Sequence, residues 1–148
     1  MSSDDSDAKI LHALAKDSRL SFRALGKKLG LATTTVIHRY EKMKKDGIIK
    51  YPSMVIDHEK LGYDIVALIE LVVSKGRLLE VEEKISKKQN AYAVYDITGD
   101  TDAVILARFK DRKELNDFVK SLLAMEFVER TNTHLVLNGV KEDPNATI

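Results

Sequence analysis

Ser21-Phe22-Arg23-Ala24-Leu25-Gly26-Lys27-Lys28-Leu29-Gly30-Leu31-Ala32-Thr33-Thr34-Thr35-Val36-Ile37-His38-Arg39-Tyr40 carries two helical patterns with almost nothing between them. Ser21 can cap a first helix whose apolar residues Phe22, Leu25 and Leu29 recur every three or four positions. Gly30 stands where a left-handed residue ends such a helix. A second helix begins at Ala32 or Thr33, buries Val36, Tyr40 and Met43, and stops at Gly47. A break as short as Gly30-Leu31 sets two helices at the steep angle of a helix-turn-helix. Upstream, Ile10, Leu11 and Leu14 follow Asp4, Asp5, Ser6 and Asp7, acids and a hydroxyl suited to a helix start. That helix runs to about Lys16, before the polar Asp17-Ser18-Arg19-Leu20.

Charge supports the same stretch as a nucleic-acid site. The chain carries a net charge of only +1. Residues 1–50, however, hold 11 Lys and Arg against 6 Asp and Glu, or +5, while residues 51–148 hold 13 against 17, or −4. A polyanion is therefore drawn to the first third of the chain.

On the third helix, Thr33, Thr34, Thr35, His38, Arg39 and Lys42 are left over once Val36, Tyr40 and Met43 pack. Threonine hydroxyls and methyls near the start of such a helix can meet base edges, and Arg39 and Lys42 can reach phosphates or a guanine. Lys50 lies in the basic flank with Arg19, Arg23, Lys27, Lys28, Lys44 and Lys45. The bland alternative is a weak cap followed by an ordinary solvated surface.

Beyond Gly47, Ile48-Ile49 reads as the start of an extended arm, and Pro52 restricts it to an edge position. From residue 65 the order is strand (65–73), helix (78–87), strand (91–98), strand (104–109), helix (113–123), strand (128–137). That β-α-β-β-α-β order is ferredoxin-like, an antiparallel sheet with both helices on one face. The first strand, Ile65-Val66-Ala67-Leu68-Ile69-Glu70-Leu71-Val72-Val73, is apolar nearly throughout. Both its faces should then be buried, and a second subunit is the natural cover for the one without helices. The expected organisation is a DNA-binding domain over 1–50, a linker over 51–64, an effector-binding and dimerisation domain over 65–140, and a polar tail over 141–148.

Between the second and third strands lie Gly99, Asp100, Thr101 and Asp102. A glycine lets a carboxylate approach backbone N–H groups, and either aspartate can hold an ammonium, so the set suits a zwitterion. Thr131 and Thr133 on the last strand can add hydroxyls. Glycine and aspartate are equally what a turn between antiparallel strands requires.

Other chemistry is poorly supported. The chain has no cysteine, which excludes disulfides, zinc-thiolate sites and thiol nucleophiles and fits a reducing, cytoplasmic setting. His12, His38, His58 and His134 show no metal-ligand spacing, and no phosphate loop, nucleophile elbow or convincing acid pair appears. No catalytic residue, metal or cofactor is expected. The acidic start lacks the pattern of an export signal, and the apolar run at 65–73 is far short of the roughly 20 residues that span a membrane.

Taken together, Asp7-Ala8-Lys9-Ile10-Leu11, Leu29-Gly30-Leu31, Thr35-Val36, Arg39-Tyr40, Gly47-Ile48-Ile49, Leu61-Gly62 and Gly99-Asp100-Thr101-Asp102 resemble the Lrp/AsnC (feast/famine) regulators over nearly the whole chain. The resemblance implies a winged helix-turn-helix joined to a ferredoxin-like effector module. It implies homodimers, often assembled into tetramers or octamers, double-stranded DNA as one partner, and an amino acid or related metabolite as another. It places the effector at contacts between dimers, on the loop holding Gly99, Asp100, Thr101 and Asp102.

The sequence departs from the family pattern at Ala32 (commonly serine), Tyr51-Pro52 (commonly Gly-Tyr) and His58 (commonly proline). Alanine caps a helix worse than serine by roughly 1 kcal/mol, so the third helix is expected to start at Thr33. Two alternatives compete with the regulator reading: a ligand-independent architectural chromatin protein, and a tetrapyrrole decarboxylase of the same architecture, against which the basic N-terminus weighs.

Overall fold

The computed structural model describes residues 5–143 and 145; the first four residues of the acidic start, and positions 144 and 146–148 of the expected tail, lie outside them. The chain divides into two compact units, one reaching Val55 and the other spanning Ile56–Val140.

Three helices build the first unit: α1 (Asp5–Lys16), α2 (Phe22–Leu29) and α3 (Thr33–Lys45). Ser21 caps α2 as its side chain accepts from the Ala24 N–H at 3.1 Å. Gly30 closes α2 in the left-handed region at φ 69°, where a side chain would be strained. Ala32 precedes α3 without a side-chain hydrogen bond, and α3 begins at Thr33 as the missing hydroxyl suggests. Ile10, Ala13, Leu25, Val36 and Met43 are buried together, and the rings of Phe22 and Tyr40 pack with centroids 5.0 Å apart. Helices of 8 to 13 residues are marginal alone, so this shared core is what keeps them folded.

Gly26 fixes how closely α2 meets the turn. A Cβ at this position would lie 2.7 Å from the Leu31 carbonyl oxygen, a contact only a backbone shift can relieve. The carbonyl of Gly26 in turn accepts from the Leu31 N–H at 2.9 Å.

The expected arm does not form a strand. Gly47 turns the chain at φ 74°, and the N–H groups of Ile48 and Ile49 both donate to the Met43 carbonyl, at 2.9 and 3.2 Å. Ile49 packs against the helical core and seals the end of α3, while the side chain of Ile48 stays exposed. No strand lies between α3 and residue 65 among the described residues; a single 3-10 turn, Glu59–Leu61, interrupts the connection.

The second unit is β1 (Ile65–Val73), α4 (Leu78–Ser86), β2 (Ala91–Asp96), β3 (Ala103–Phe109), α5 (Arg112–Leu123) and β4 (Val128–Leu135). The sheet is antiparallel in the order β2-β3-β1-β4, the ferredoxin-like arrangement, so β1 is flanked on both sides. Its helix-covered face buries Ala67, Ile69, Leu71 and Val73 with Ile105, Phe109, Val81, Ile85, Phe118 and Leu122. The opposite face, with Val66, Leu68 and Val72 of β1 and Val104 and Leu106 of β3, is only half-buried. Burial along β1 alternates from Val66 to Val73, so one chain supplies cover for one face of this apolar strand.

β2 ends two residues earlier than the expected 98, because the Ile97 N–H donates to the Asp102 carbonyl and closes the loop there. On α4, Glu82 has a buried carboxylate oxygen with no partner among the described residues. Burial, and then the nearby charge of Asp96, push its carboxyl above the ordinary value of 4.5.

Two stability predictions follow from these positions. Gly26→Ala gains about 1 kcal/mol of helix propensity. The forced shift outweighs that gain, and denaturant unfolding should show a net loss of about 1–3 kcal/mol. For Glu82, a raised folded-state value means that its favourable contribution is complete below about pH 4.5 and is lost as pH rises through the raised value. Glu82→Gln should therefore raise the melting temperature at pH 7, with the advantage shrinking to nothing near pH 4.

Candidate nucleic-acid interface and effector cleft

The threonine run at the start of α3 does not act as a block. Thr34, His38 and Lys42 fall four residues apart on one row of the helix, and all three are exposed. Thr33 and Thr35 are half-buried, turned toward the neighbouring helices. Ile37, next to the exposed row, leaves 40 % of its surface in solvent, an apolar group outside both the packing set and the contact set expected from the sequence. Lys42, Lys44 and Lys45 gather in the last turn, and Lys50 is exposed beyond it.

Arg39 is placed differently from the rest of the row. Its Nη1 donates to Oδ1 of Asp7 at 3.0 Å, joining α3 to α1, and the two side chains are 28 % and 13 % exposed. A pair this sheltered clips the two helices together, so Arg39 holds the helix that Lys42 and Thr34 present. Asp7, read from sequence as part of a helix start, is the buried acid that this arginine requires.

In the second unit, the loop of residues 97–102 folds over the end of β1. The N–H of Asp102 donates to the Leu71 carbonyl at 2.8 Å, and its Oδ2 accepts from the Val73 N–H at 2.8 Å. That carboxylate is occupied in pinning the loop. Gly99 adopts φ 125°, which favours glycine, and leaves Asp100 exposed at the loop tip.

Between this loop and β4 lies a cleft of about 540 Å³, lined by Glu70, Ile97, Thr98, Asp100, Thr101, Arg130, Thr131 and Asn132. Asp100, Thr101 and Thr131 of the expected set meet there; Gly99, Asp102 and Thr133 are not among the lining residues. Thr131 and Thr133 pair in register with Leu71 and Ile69 and so share the helix-covered side of the sheet, and of the two only Thr131 borders the cleft, while Arg130 and Asn132 lie on the opposite face with Glu70.

Glu70, Arg130 and Asn132 had no place in the sequence-level site. The signal was present as an acid interrupting an apolar strand, paired in register with Asn132 on β4. Asn132 Nδ2 donates to Glu70 Oε2 at 3.0 Å, and His134 Nε2 lies 3.3 Å from the same oxygen. Hydrogen bonds from Asn132 and then His134 hold the Glu70 carboxyl below its ordinary range, keeping it charged. No group of three or more potential metal ligands occurs among the described residues, and no helix among them is long and apolar enough to cross a membrane.

Comparison with known proteins matches both units. The AsnC-type helix-turn-helix domain model matches residues 4–44, and the Lrp/AsnC ligand binding domain model matches residues 66–146. An uncharacterised HTH-type transcriptional regulator of Pyrococcus furiosus is 41% identical over 143 residues, covering 97% of each chain. The crystal structure of an AsnC family transcriptional regulator from Agrobacterium tumefaciens superposes with a TM-score of 0.89 at 26% identity, covering 96% of this chain and 95% of that one. That of a Neisseria meningitidis transcriptional regulator in complex with L-Met gives 0.88 at 23% identity, with 97% and 95% covered.

Proposed function

The chain belongs to the Lrp/AsnC family of transcriptional regulators, and on that premise we propose that it binds specific duplex DNA sequences as a homodimer and takes an amino acid or related metabolite in the cleft of its second unit. The exposed row Thr34, His38 and Lys42 on α3 carries the DNA reading. It combines two hydrogen-bonding side chains with a cation on a helix whose opposite side is locked by Val36 and Met43. Thr34 and His38 face base edges with Ile37 near thymine methyls, while Lys42 and Lys50 meet phosphates.

One α3 reads only a few base pairs, so sequence choice at useful affinity calls for two. Twofold pairing presents two such helices to successive major grooves about 34 Å apart. The half-buried face of Val66, Leu68, Val72, Val104 and Leu106 supports pairing through the sheet, because a second copy would remove this aliphatic surface from water. For the effector, support comes from the mixed charges and hydroxyls of the cleft, and from a protein of this fold having been solved with L-Met.

Substitutions separate the roles. Lys42→Ala should weaken binding to all duplexes alike and lower the slope of log affinity against log salt by about 1. Thr34→Ala should relax choice at one base pair, worth about 1–3 kcal/mol of discrimination, with the salt slope unchanged. Arg39→Ala should lower the melting temperature of the protein. Fluorescence anisotropy on matched and single-mismatch duplexes measures the first two, and equal binding curves for wild type, Lys42→Ala and Thr34→Ala would remove α3 as the reading element.

A further inference from the structure

One acid stands in the middle of the aliphatic sheet face. Glu70 lies on β1 between Leu68 and Val72, with Val104 of β3 opposite on one side and Asn132 of β4 on the other. β1 is an inner strand, so a copy that covers Val66, Leu68, Val72, Val104 and Leu106 covers Glu70 with them. A carboxylate taken out of water needs a positive charge beside it, or its burial opposes the pairing. The side chain within ion-pair distance that can supply one is His134, whose Nε2 lies 3.3 Å from Glu70 Oε2. Asn132 Nδ2 stands 2.9 Å from that nitrogen and donates to the same oxygen at 3.0 Å. A bare Nε2 would set a lone pair against the carboxylate, whereas an Nε2 that carries a proton donates to it.

We propose that pairing through this face encloses Glu70 with His134 and draws a proton from solvent onto that imidazole, so that the chain pairs more tightly in mildly acidic than in mildly alkaline solution. The proposal rests on reading the half-buried sheet face as the surface that a second copy covers. The other charged and titratable groups on this face do not replace the imidazole. Arg130 of β4 is level with Val72 and makes no ion pair among the described residues. Arg108 of β3 is level with Val66, roughly 13 Å along the strand from the level of Glu70. Its guanidinium stacks on the ring of Tyr92, 3.9 Å from the centroid. Tyr95 of β2 is level with Val104, and Asp100 enters from the 97–102 loop; neither brings positive charge. A twofold-related copy adds the same groups again. Of these side-chain types only imidazole ordinarily changes charge between about pH 5 and 8. A proton held more firmly in the pair than in the single chain makes pairing strongest where both imidazoles are charged. That strength is lost as pH rises and the protons leave.

The test is sedimentation velocity of the full chain over a dilution series at about pH 6 and about pH 8, at one ionic strength. The dissociation constant of the pair should rise about tenfold or more between the two. His134→Gln, which keeps a hydrogen-bonding side chain without the titration, should remove the pH dependence. Glu70→Gln should remove it too and, by deleting the enclosed charge, make pairing at the higher pH tighter than in the wild type. The melting temperature at fixed chain concentration reads even a pair too tight to dilute apart: from the lower to the higher pH it should fall further in the wild type than in His134→Gln. Pairing of equal strength at both pH values, with equal losses of melting temperature in wild type and His134→Gln, would overturn the proton coupling and leave pairing through the sheet standing. So would tighter pairing at the higher pH. A full pH response in His134→Gln would overturn the assignment to this imidazole. A chain that stays single at every concentration and at both pH values would defeat the sheet face as a pairing surface, and this proposal with it.

Discussion

The contact that organises the helical unit is the approach of α2 to the turn at Gly26. Because a Cβ there would stand 2.7 Å from the Leu31 carbonyl, only glycine lets the turn sit this close, and the turn sets where α3 begins. The outward direction of Thr34, His38 and Lys42 follows from that placement, with Val36 and Met43 buried behind them. The Arg39–Asp7 pair braces α3 against α1. The exposed row of α3 thus depends on residues outside that row.

The second unit repeats the logic with different chemistry. β1 is central, and its end is capped by the Asp102 carboxylate and backbone, which draw the 97–102 loop across the sheet toward β4. The cleft exists because the loop is held there. Glu70 reaches it from β1 and Arg130 and Asn132 from β4, so strand register brings together groups about 60 positions apart in the chain.

Much of this was legible in the sequence. Helical spacing, the Ser21 cap, the Gly30 terminus and the β-α-β-β-α-β order each rest on local physics, and the elements appear within a few residues of expectation. What was hidden depends on distant partners. Arg39 reads as one more cation until Asp7 is beside it, and Asp102 reads as a ligand group until its carboxylate is found on Val73. Thr33, Thr34 and Thr35 are one residue type in three environments, a split that emerges only when α3 is rotated against its neighbours. Ile48 and Ile49 have strand character by type, yet the Met43 carbonyl takes the N–H groups of both and the helical core takes the side chain of Ile49. Glu70 seemed a mere interruption of an apolar run, since its companions lie on another strand.

The central claim is that paired copies of α3 read duplex sequence. Enrichment of duplexes from a random pool by the full-length protein, at an ionic strength where non-specific binding is weak, tests it most directly. One enriched motif is expected, with two related half-sites separated by about one helical turn or a multiple of it. Retention of duplex DNA without any enriched motif would contradict it, and would assign the basic helices to sequence-independent packaging of DNA instead.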